Sequence, residues 1–368
     1  MKTEISSVEL YHLMKELKEL EGGRLDKIYQ KEELFLINIY LPGRGKKMLK
    51  IKFSSLIYIT EFKENFPQTP PGFCKFLRKR LGNGIVREIR QKGFERIVEI
   101  KIETKDQVYV LIVELFSKGN MILSDENHRI VSSFKSRTWS TREIRGGLEY
   151  EYPPAQLNTA ALSKEEFIEV LEESDKENLV KTLAIEFGLG GLFAEETCAR
   201  AGVDKEKEKL VDKEAAKVYN SLQGLFSENI EANISEDQIL PFELELFKSS
   251  EKEEFESFSK AIDSRLSDKI EERKEEKVKE KKNKALDKVK NVINQQERKI
   301  EGLKQSIDEN QEKGEFIYAH YQEIKAILED LKKAREKMSW SEIREKLKES
   351  NKVKNIDEKK GIITVDVQ

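Results

Sequence analysis

Apolar residues recur at helical spacing over 6–21, where Leu10, Leu13, Met14, Leu17 and Leu20 share one face. Ser6 and Glu9 have the spacing of a capping box at its start, and Gly22-Gly23 ends it. From Arg24 to Tyr58 the period shortens to two, through Leu34–Tyr40 and Met48–Phe53, with Pro42-Gly43-Arg44-Gly45 as the turn between them. Pro67, Pro70, Pro71 and Gly72 break the chain ahead of a short basic helix, Phe73 to Leu81. Strands are predicted near 85–91, 94–103 and 107–115. An apolar run, Val113 to Phe116, then leads into Lys118-Gly119-Asn120 and a glycine-kinked hairpin over 119–135. Tyr150 to Pro154 closes this first domain, an α+β unit dominated by antiparallel sheet.

Residues 163–227 read as helical throughout, with a second capping box at Ser163 and Glu166. At Phe187-Gly188-Leu189-Gly190-Gly191-Leu192 two helices meet across a turn whose spacing resembles that of a helix-hairpin-helix. Backbone N–H groups of such a turn can receive a phosphate. The same glycines also suit a helix C-cap with close packing, and Glu195 and Glu196 argue against an anion there.

Over 252–338 the chain is rich in Lys, Glu, Gln and Asn, with sparse apolar residues. Val278, Ala285, Val289, Val292, Ile300, Leu303, Ile307, Ile317, Tyr321, Ile324, Leu328 and Leu331 follow steps of three and four, the seam of a coiled coil. A straight helix of that length would reach about 120 Å. Gly302 and Gly314 are its expected soft points. A short helix from Ser339 and a strand, Ile362 to Val367, follow. Four segments are therefore expected: a β-rich domain over 1–155, a helix-hairpin-helix domain over 160–250, a coiled-coil arm over 252–338 and the start of a small α/β domain over 339–368.

Composition narrows the function. Charged residues are 37% of the 368-residue chain, against about a quarter in ordinary domains, which fits a long exposed segment. The net charge is only −3, so any surface for nucleic acid must be local. The Lys/Glu/Ile-rich flavour points to a thermophile. Cys74 and Cys198 lack disulfide or ligand spacing, and His12, His128 and His320 are scattered, so a reducing cytoplasm and no metal or other cofactor are expected. No signal core or membrane-length apolar window occurs. Walker, zinc, GxSxG and Rossmann patterns are missing, so no catalytic centre stands out.

Three places carry candidate chemistry. Glu9 is one, although a capping box already accounts for its carboxylate. Glu95-Arg96 is another. In a strand Phe94 to Glu103, period two places Arg96 on the face of Val98, Ile100 and Ile102, where a charge needs a partner, a role or a route to solvent. The third is the basic set Lys75, Arg78, Lys79, Arg80, Arg87 and Arg90, which with Arg137, Arg142 and Arg145 can track phosphates or simply form a solvated face.

Several motifs in order give the chain a family resemblance. They are Ile5-Ser6-Ser7-Val8-Glu9-Leu10, Gly23-Arg24-Leu25-Asp26-Lys27-Ile28-Tyr29-Gln30, Thr69-Pro70-Pro71-Gly72-Phe73 with Leu77-Arg78-Lys79, Gln91 to Val98, and Glu114 to Asn127. Followed by a Gly-rich helical segment and a coiled coil, they resemble the NFACT family, also called NEMF or fibronectin-binding-protein-like. The resemblance implies a glycosylase-like amino-terminal fold and a ribosome-quality-control factor. Such a factor binds the large ribosomal subunit and tRNA, typically alanyl-tRNA, and supports template-free tailing of stalled chains while the ribosome makes the bonds.

The family's tailing residues fall on Glu9 and on Glu95-Arg96, both acids being Glu where the commoner pattern has Asp. The tRNA-facing set implied here is Glu9, Arg24, Arg78, Lys79, Arg90, Glu95, Arg96, Lys118 and Asn120. The family continues into a returning coiled-coil helix and a small RNA-binding domain, so the chain reads as an amino-terminal fragment whose seam can pair in a homodimer. Two other classes stay open. A formamidopyrimidine-type DNA glycosylase is opposed by Lys2 and Thr3 where a proline amine and a glutamate would stand. An adhesive coiled-coil protein fits the fibronectin-binding name and lacks a signal peptide to support it.

Overall fold

The structure, a computed structural model, describes residues 4–140, 142–347, 353–357 and 362–365. Lys2, Thr3, Gly361, Val367 and the side chains of Val278 and Ala285 lie outside the described residues. The chain forms two compact units, Met1–Glu272 and Arg273–Gln368.

The first unit opens with α1 (Ser7–Leu17), and its capping box is complete. Glu9 N donates to Ser6 Oγ at 3.2 Å, and Ser6 N donates to Glu9 Oε2 at 2.8 Å. Four strands follow as a meander: β1 (Arg24–Lys31), β2 (Leu34–Leu41), β3 (Gly45–Lys52) and β4 (Leu56–Thr60). Helix α2 (Gly72–Leu81) precedes a second meander of β5 (Ile85–Gln91), β6 (Ile97–Glu103), β7 (Val108–Glu114), β8 (Asn120–Asp125) and β9 (Ile130–Ser133). Together they make one antiparallel nine-stranded sheet, order β4-β3-β2-β1-β5-β6-β7-β8-β9. The halves join at Arg24↔Ile85, beside irregularities in both strands.

Period two sorts the side chains. Phe35, Leu49, Val98, Ile100, Leu111 and Leu123 build the main core with Leu10, Leu13 and Leu17 of α1 and Leu77 of α2. On the other face Ile97, Val110, Ile112 and Ile122 are covered by Tyr150 and by Ile144 of the short hairpin β10 (Arg137–Thr138) and β11 (Glu143–Ile144).

The helical segment is not continuous. It consists of α3 (Lys164–Glu173), α4 (Leu179–Ile185), α5 (Gly190–Ala201) and α6 (Asp212–Ser227), packed around Phe167, Phe187, Phe193 and Leu222. A small sheet that the sequence pattern did not show follows: β12 (Asn233–Ser235), β13 (Gln238–Leu240) and β14 (Lys252–Glu254). The long helix α7 (Phe258–Ala319) thus starts after a strand, not at 252.

In the second unit the helix passes Gly302 and Gly314 without a break and stops before His320, where α8 (Tyr321–Lys337) begins. Leu331 of α8 and Ile343 of α9 (Trp340–Leu347) form a small apolar cluster. The strands β15 (Val353–Asp357) and β16 (Ile362–Val365) pair antiparallel. Among the described residues no helix is long and apolar enough to cross a membrane, and no group of metal-ligating side chains gathers.

Candidate functional site

A cleft of about 540 Å³ opens in the first unit. Ser6 and Ser7 bring the amino end of α1 to it, Glu95 and Arg96 the turn before β6, and Phe116 and Ser117 the turn after β7. Pro153, Pro154 and Gln156 form a strap along it, and Ile185, Gly188, Leu189 and Gly190 bring the α4–α5 turn. The walls are apolar at Phe116, the prolines and Ile185, and charged at Glu95 and Arg96.

Glu95 and Arg96 do not lie in a strand, contrary to the alternation argument. β6 begins at Ile97, and the preceding turn is closed by Lys92 N to Ile97 O at 3.0 Å and Glu95 N to Lys92 O at 3.0 Å. Phe94 causes the departure: it is 3% exposed and packs edge-on to Phe226, in the helical core and not on the sheet. Arg96 therefore needs no buried partner. Its Nη1 donates to Glu4 Oε2 at 2.8 Å, at the surface. Glu95 Oε1 accepts Gln156 N at 2.8 Å, which ties the turn to the strap. Gln91 Nε2 donates to Glu95 O at 3.0 Å and to Ser7 O at 3.3 Å, so one amide joins the turn to α1.

The other predicted residues fall in different places. Glu9 is buried and bonded to Ser6, which lines the cleft. Lys118 is exposed on the turn after β7. That turn is pressed onto β3–β4: Gly119 has φ +60°, and a Cβ there would stand 2.4 Å from Ser54 N. Asn120 is fully buried. Its Nδ2 donates to Lys135 O at 2.9 Å, and its Oδ1 accepts Met121 N and Lys135 N at 3.0 and 3.1 Å. Its polar atoms thus hold the chain at Lys135.

Arg78 donates from Nε to Ile28 O at 2.6 Å and lies 5.5 Å from the Tyr29 ring, which also has Lys63 at 4.1 Å and Lys27 at 5.5 Å. Burial pushes the Tyr29 phenol up, but Lys63, Lys27 and Lys46 outweigh it and the net shift is downward, the mark of a positive local field. Lys79 is exposed on the same helix, and Arg24 is exposed, reaching Asn83 O at 3.4 Å.

Arg90 is paired with Glu99 at 2.6 Å, in a cluster where Glu99 also meets the Tyr152 hydroxyl. His128 Nε2 lies 2.8 Å from that hydroxyl. Arg142 leaves the phosphate-tracking set: it is 8% exposed and donates to Glu114 Oε1 at 2.8 Å and Glu151 O at 3.2 Å. Burial and then the Glu114 charge push the Tyr150 phenol beside this pair well up. Gln91 and Gln156 were not legible as site residues, because neither has a charge or a pattern to mark it.

Residues 6–364 match the family of NFACT N-terminal and middle domains. The chain is 32% identical to the archaeal Rqc2 homolog aRqcH of Methanocaldococcus jannaschii, over 99% of this chain and 58% of that protein. It is 34% identical to ribosome quality control complex subunit 2 of Saccharomyces cerevisiae, over 51% of this chain and 18% of that one. The solved N-terminal structure of the fibronectin/fibrinogen-binding protein from Streptococcus suis superimposes with a TM-score of 0.61 at 28% identity, covering 72% of this chain and 99% of that one. The chain thus spans well under two thirds of the length of the curated relatives named here.

Proposed function

The chain belongs to the NFACT family, and on that premise we propose that it is part of a ribosome quality control factor that holds tRNA on the large ribosomal subunit and supports template-free tailing of stalled nascent chains. The observation that carries this reading is the cleft itself. Glu95 and Arg96 sit together at its edge, anchored through their backbone and Gln156, with their charged groups at a solvent-open surface. Among the described residues no group of metal-ligating side chains gathers, and both cysteines are buried.

Such a site binds and orients. Peptide bond formation is left to the ribosome, and the factor contributes by holding aminoacyl-tRNA, alanyl-tRNA in this reading, in productive geometry. Arg96 and the exposed cations Arg24, Lys79 and Lys118 supply phosphate contacts, with Arg78 adding to the field around Tyr29. Phosphate contacts predict affinity that falls steeply with salt and differs little between tRNAs.

The test uses the protein in its natural length, mixed with tRNA, large ribosomal subunits, abasic duplex DNA and fibronectin over a salt series. The reading expects salt-sensitive binding to tRNA and subunits, and loss of tailing in the Glu95→Ala/Arg96→Ala double variant with the fold and subunit binding retained. Equal tailing by the variant and the parent would overturn it, as would preferential binding of the DNA or of fibronectin.

A further inference from the structure

The hairpin β10–β11 presents Trp139 at the surface, 38% exposed, although tryptophan is highly buried on average. Trp139 N donates to Arg142 O at 2.9 Å, and the Arg142 guanidinium lies 4.7 Å from the ring centroid. Arg142 is itself fixed by its buried bonds to Glu114 and Glu151. Its charge is thus matched inside the fold, and what it offers Trp139 is a rigid seat. Phe116, which lines the cleft, lies 5.8 Å from the same guanidinium, so the hairpin borders the cleft.

A cation stands beside the ring. Of the basic side chains in residues 129–148, Arg142 is matched by Glu114, Lys135 is paired with Glu33 and Arg145 lies 3.4 Å from Glu143, which leaves Arg137 as the cation beside the ring. The Arg137 guanidinium lies 6.0 Å from the indole, and Lys118 is exposed on the neighbouring turn. An exposed aromatic face with a cation beside it is the arrangement that receives a nucleobase by stacking while the cation meets a flanking phosphate. Bases within a duplex are stacked on one another and offer a side chain no face, so the ligand is single-stranded RNA, at a loop or an end.

We propose that Trp139 is a stacking platform for an unpaired nucleobase, with Arg137 on an adjoining phosphate. This rests on the reading of the chain as tRNA-binding and places a loop or end of the tRNA, not its stems, at the rim of the cleft.

The chain has two tryptophans, so Trp340→Phe leaves Trp139 as the only indole and its emission as a direct report. That variant is titrated with a short oligoadenylate, a blunt RNA duplex and whole tRNA, with binding followed separately by anisotropy of labelled RNA. Saturable quenching by the oligomer and by tRNA is expected, with none by the duplex. Trp139→Ala should weaken tRNA binding by about fivefold or more, and Trp139→Phe should retain most of it. Unchanged emission while anisotropy shows tRNA bound overturns the platform and leaves the tRNA reading standing. Equal quenching by duplex and oligomer also overturns it. Quenching by the oligomer without any binding of tRNA supports the platform and overturns the tRNA reading. The titration keeps Trp139 in place, so misfolding of the alanine variant cannot decide the result.

Discussion

The Glu16 carboxylate, near the end of α1, accepts Phe258 N at 2.6 Å and Ser259 N at 2.9 Å, and so caps helix α7 from 242 residues away in sequence. The first N–H groups of a helix have no partner within it, and an anion is favoured there. Glu16 is 8% exposed, so the two bonds form out of solvent. The other end of α1 lines the cleft through Ser6 and Ser7. One helix therefore touches the candidate site and the root of α7.

Glu16→Ala should cost about 2–3 kcal/mol in urea unfolding, as loss of charge-assisted hydrogen bonds from buried donors does. Glu16→Gln, which keeps one acceptor, should cost about half as much. Hydrogen exchange at the amides of Phe258 and Ser259 should speed up in both variants. Unchanged exchange would mean that something else holds the start of α7.

Acid should weaken the first unit through His12. This side chain is fully buried, with Nε2 2.8 Å from Leu225 O, and Nδ1 has no hydrogen-bond partner. The carbonyl can only accept, so Nε2 carries the proton, and a second proton on Nδ1 would bury an unmatched charge. Burial, with Lys15 adding to it, lowers the pKa to about 4 from its ordinary value near 6.5, against an opposing contribution from the Leu225 hydrogen bond and Glu228. Between those values the unfolded chain binds a proton that the folded one refuses, so stability falls as pH drops through this window. The full effect is roughly 3 kcal/mol. Urea midpoints from pH 7.5 to 4.5 check it, and His12→Gln should flatten the slope. An equal slope in that variant would assign the acid sensitivity elsewhere.

Two arginine pairs should behave in opposite ways. Arg96–Glu4 is at the surface, and such pairs contribute about 0–1 kcal/mol. Arg142–Glu114 is buried, and breaking one side of such a pair costs about 3–5 kcal/mol. Arg96→Ala should therefore weaken tRNA binding with little change in melting temperature, whereas Arg142→Ala should lower the melting temperature sharply. A large loss of stability in Arg96→Ala would make that residue structural and take the support from the cleft reading.

The sequence was informative where a period runs long enough to be seen. The capping box of Ser6 and Glu9, the strands on either side of Pro42–Gly45 and the long polar helix are all visible as patterns. It was blind to β12, β13 and β14, because three residues cannot display a period of two. It misplaced Glu95 and Arg96 because Phe94 looks like any apolar strand residue, and only the fold reveals that its ring belongs to the helical core. Arg142 was grouped with the phosphate-facing cations for a similar reason. Burial beside Glu114 and Tyr150 depends on the pairing of distant segments, which charge counting cannot see.

The apolar stripe of α7 makes the last prediction. Val289, Val292, Ile300, Leu303 and Ile307 are each more than half exposed and follow steps of three and four, with Gln296 filling the gap. A helix takes most of its stability from packing an apolar face, and an isolated one has none to pack. Each buried Val, Leu or Ile contributes roughly 1.5–3 kcal/mol, so pairing five such positions on two copies outweighs the modest cost of aligning them. The chain should therefore associate reversibly with a second copy through this stripe, with its mass by light scattering rising over a concentration series. The triple variant Val289→Lys, Leu303→Lys and Ile307→Lys should stay monomeric, because each lysine places a charge in the seam. A parent chain that is monomeric at every concentration, while 286–319 remains helical and resists protease, would show that α7 stands without a partner and would sink the pairing.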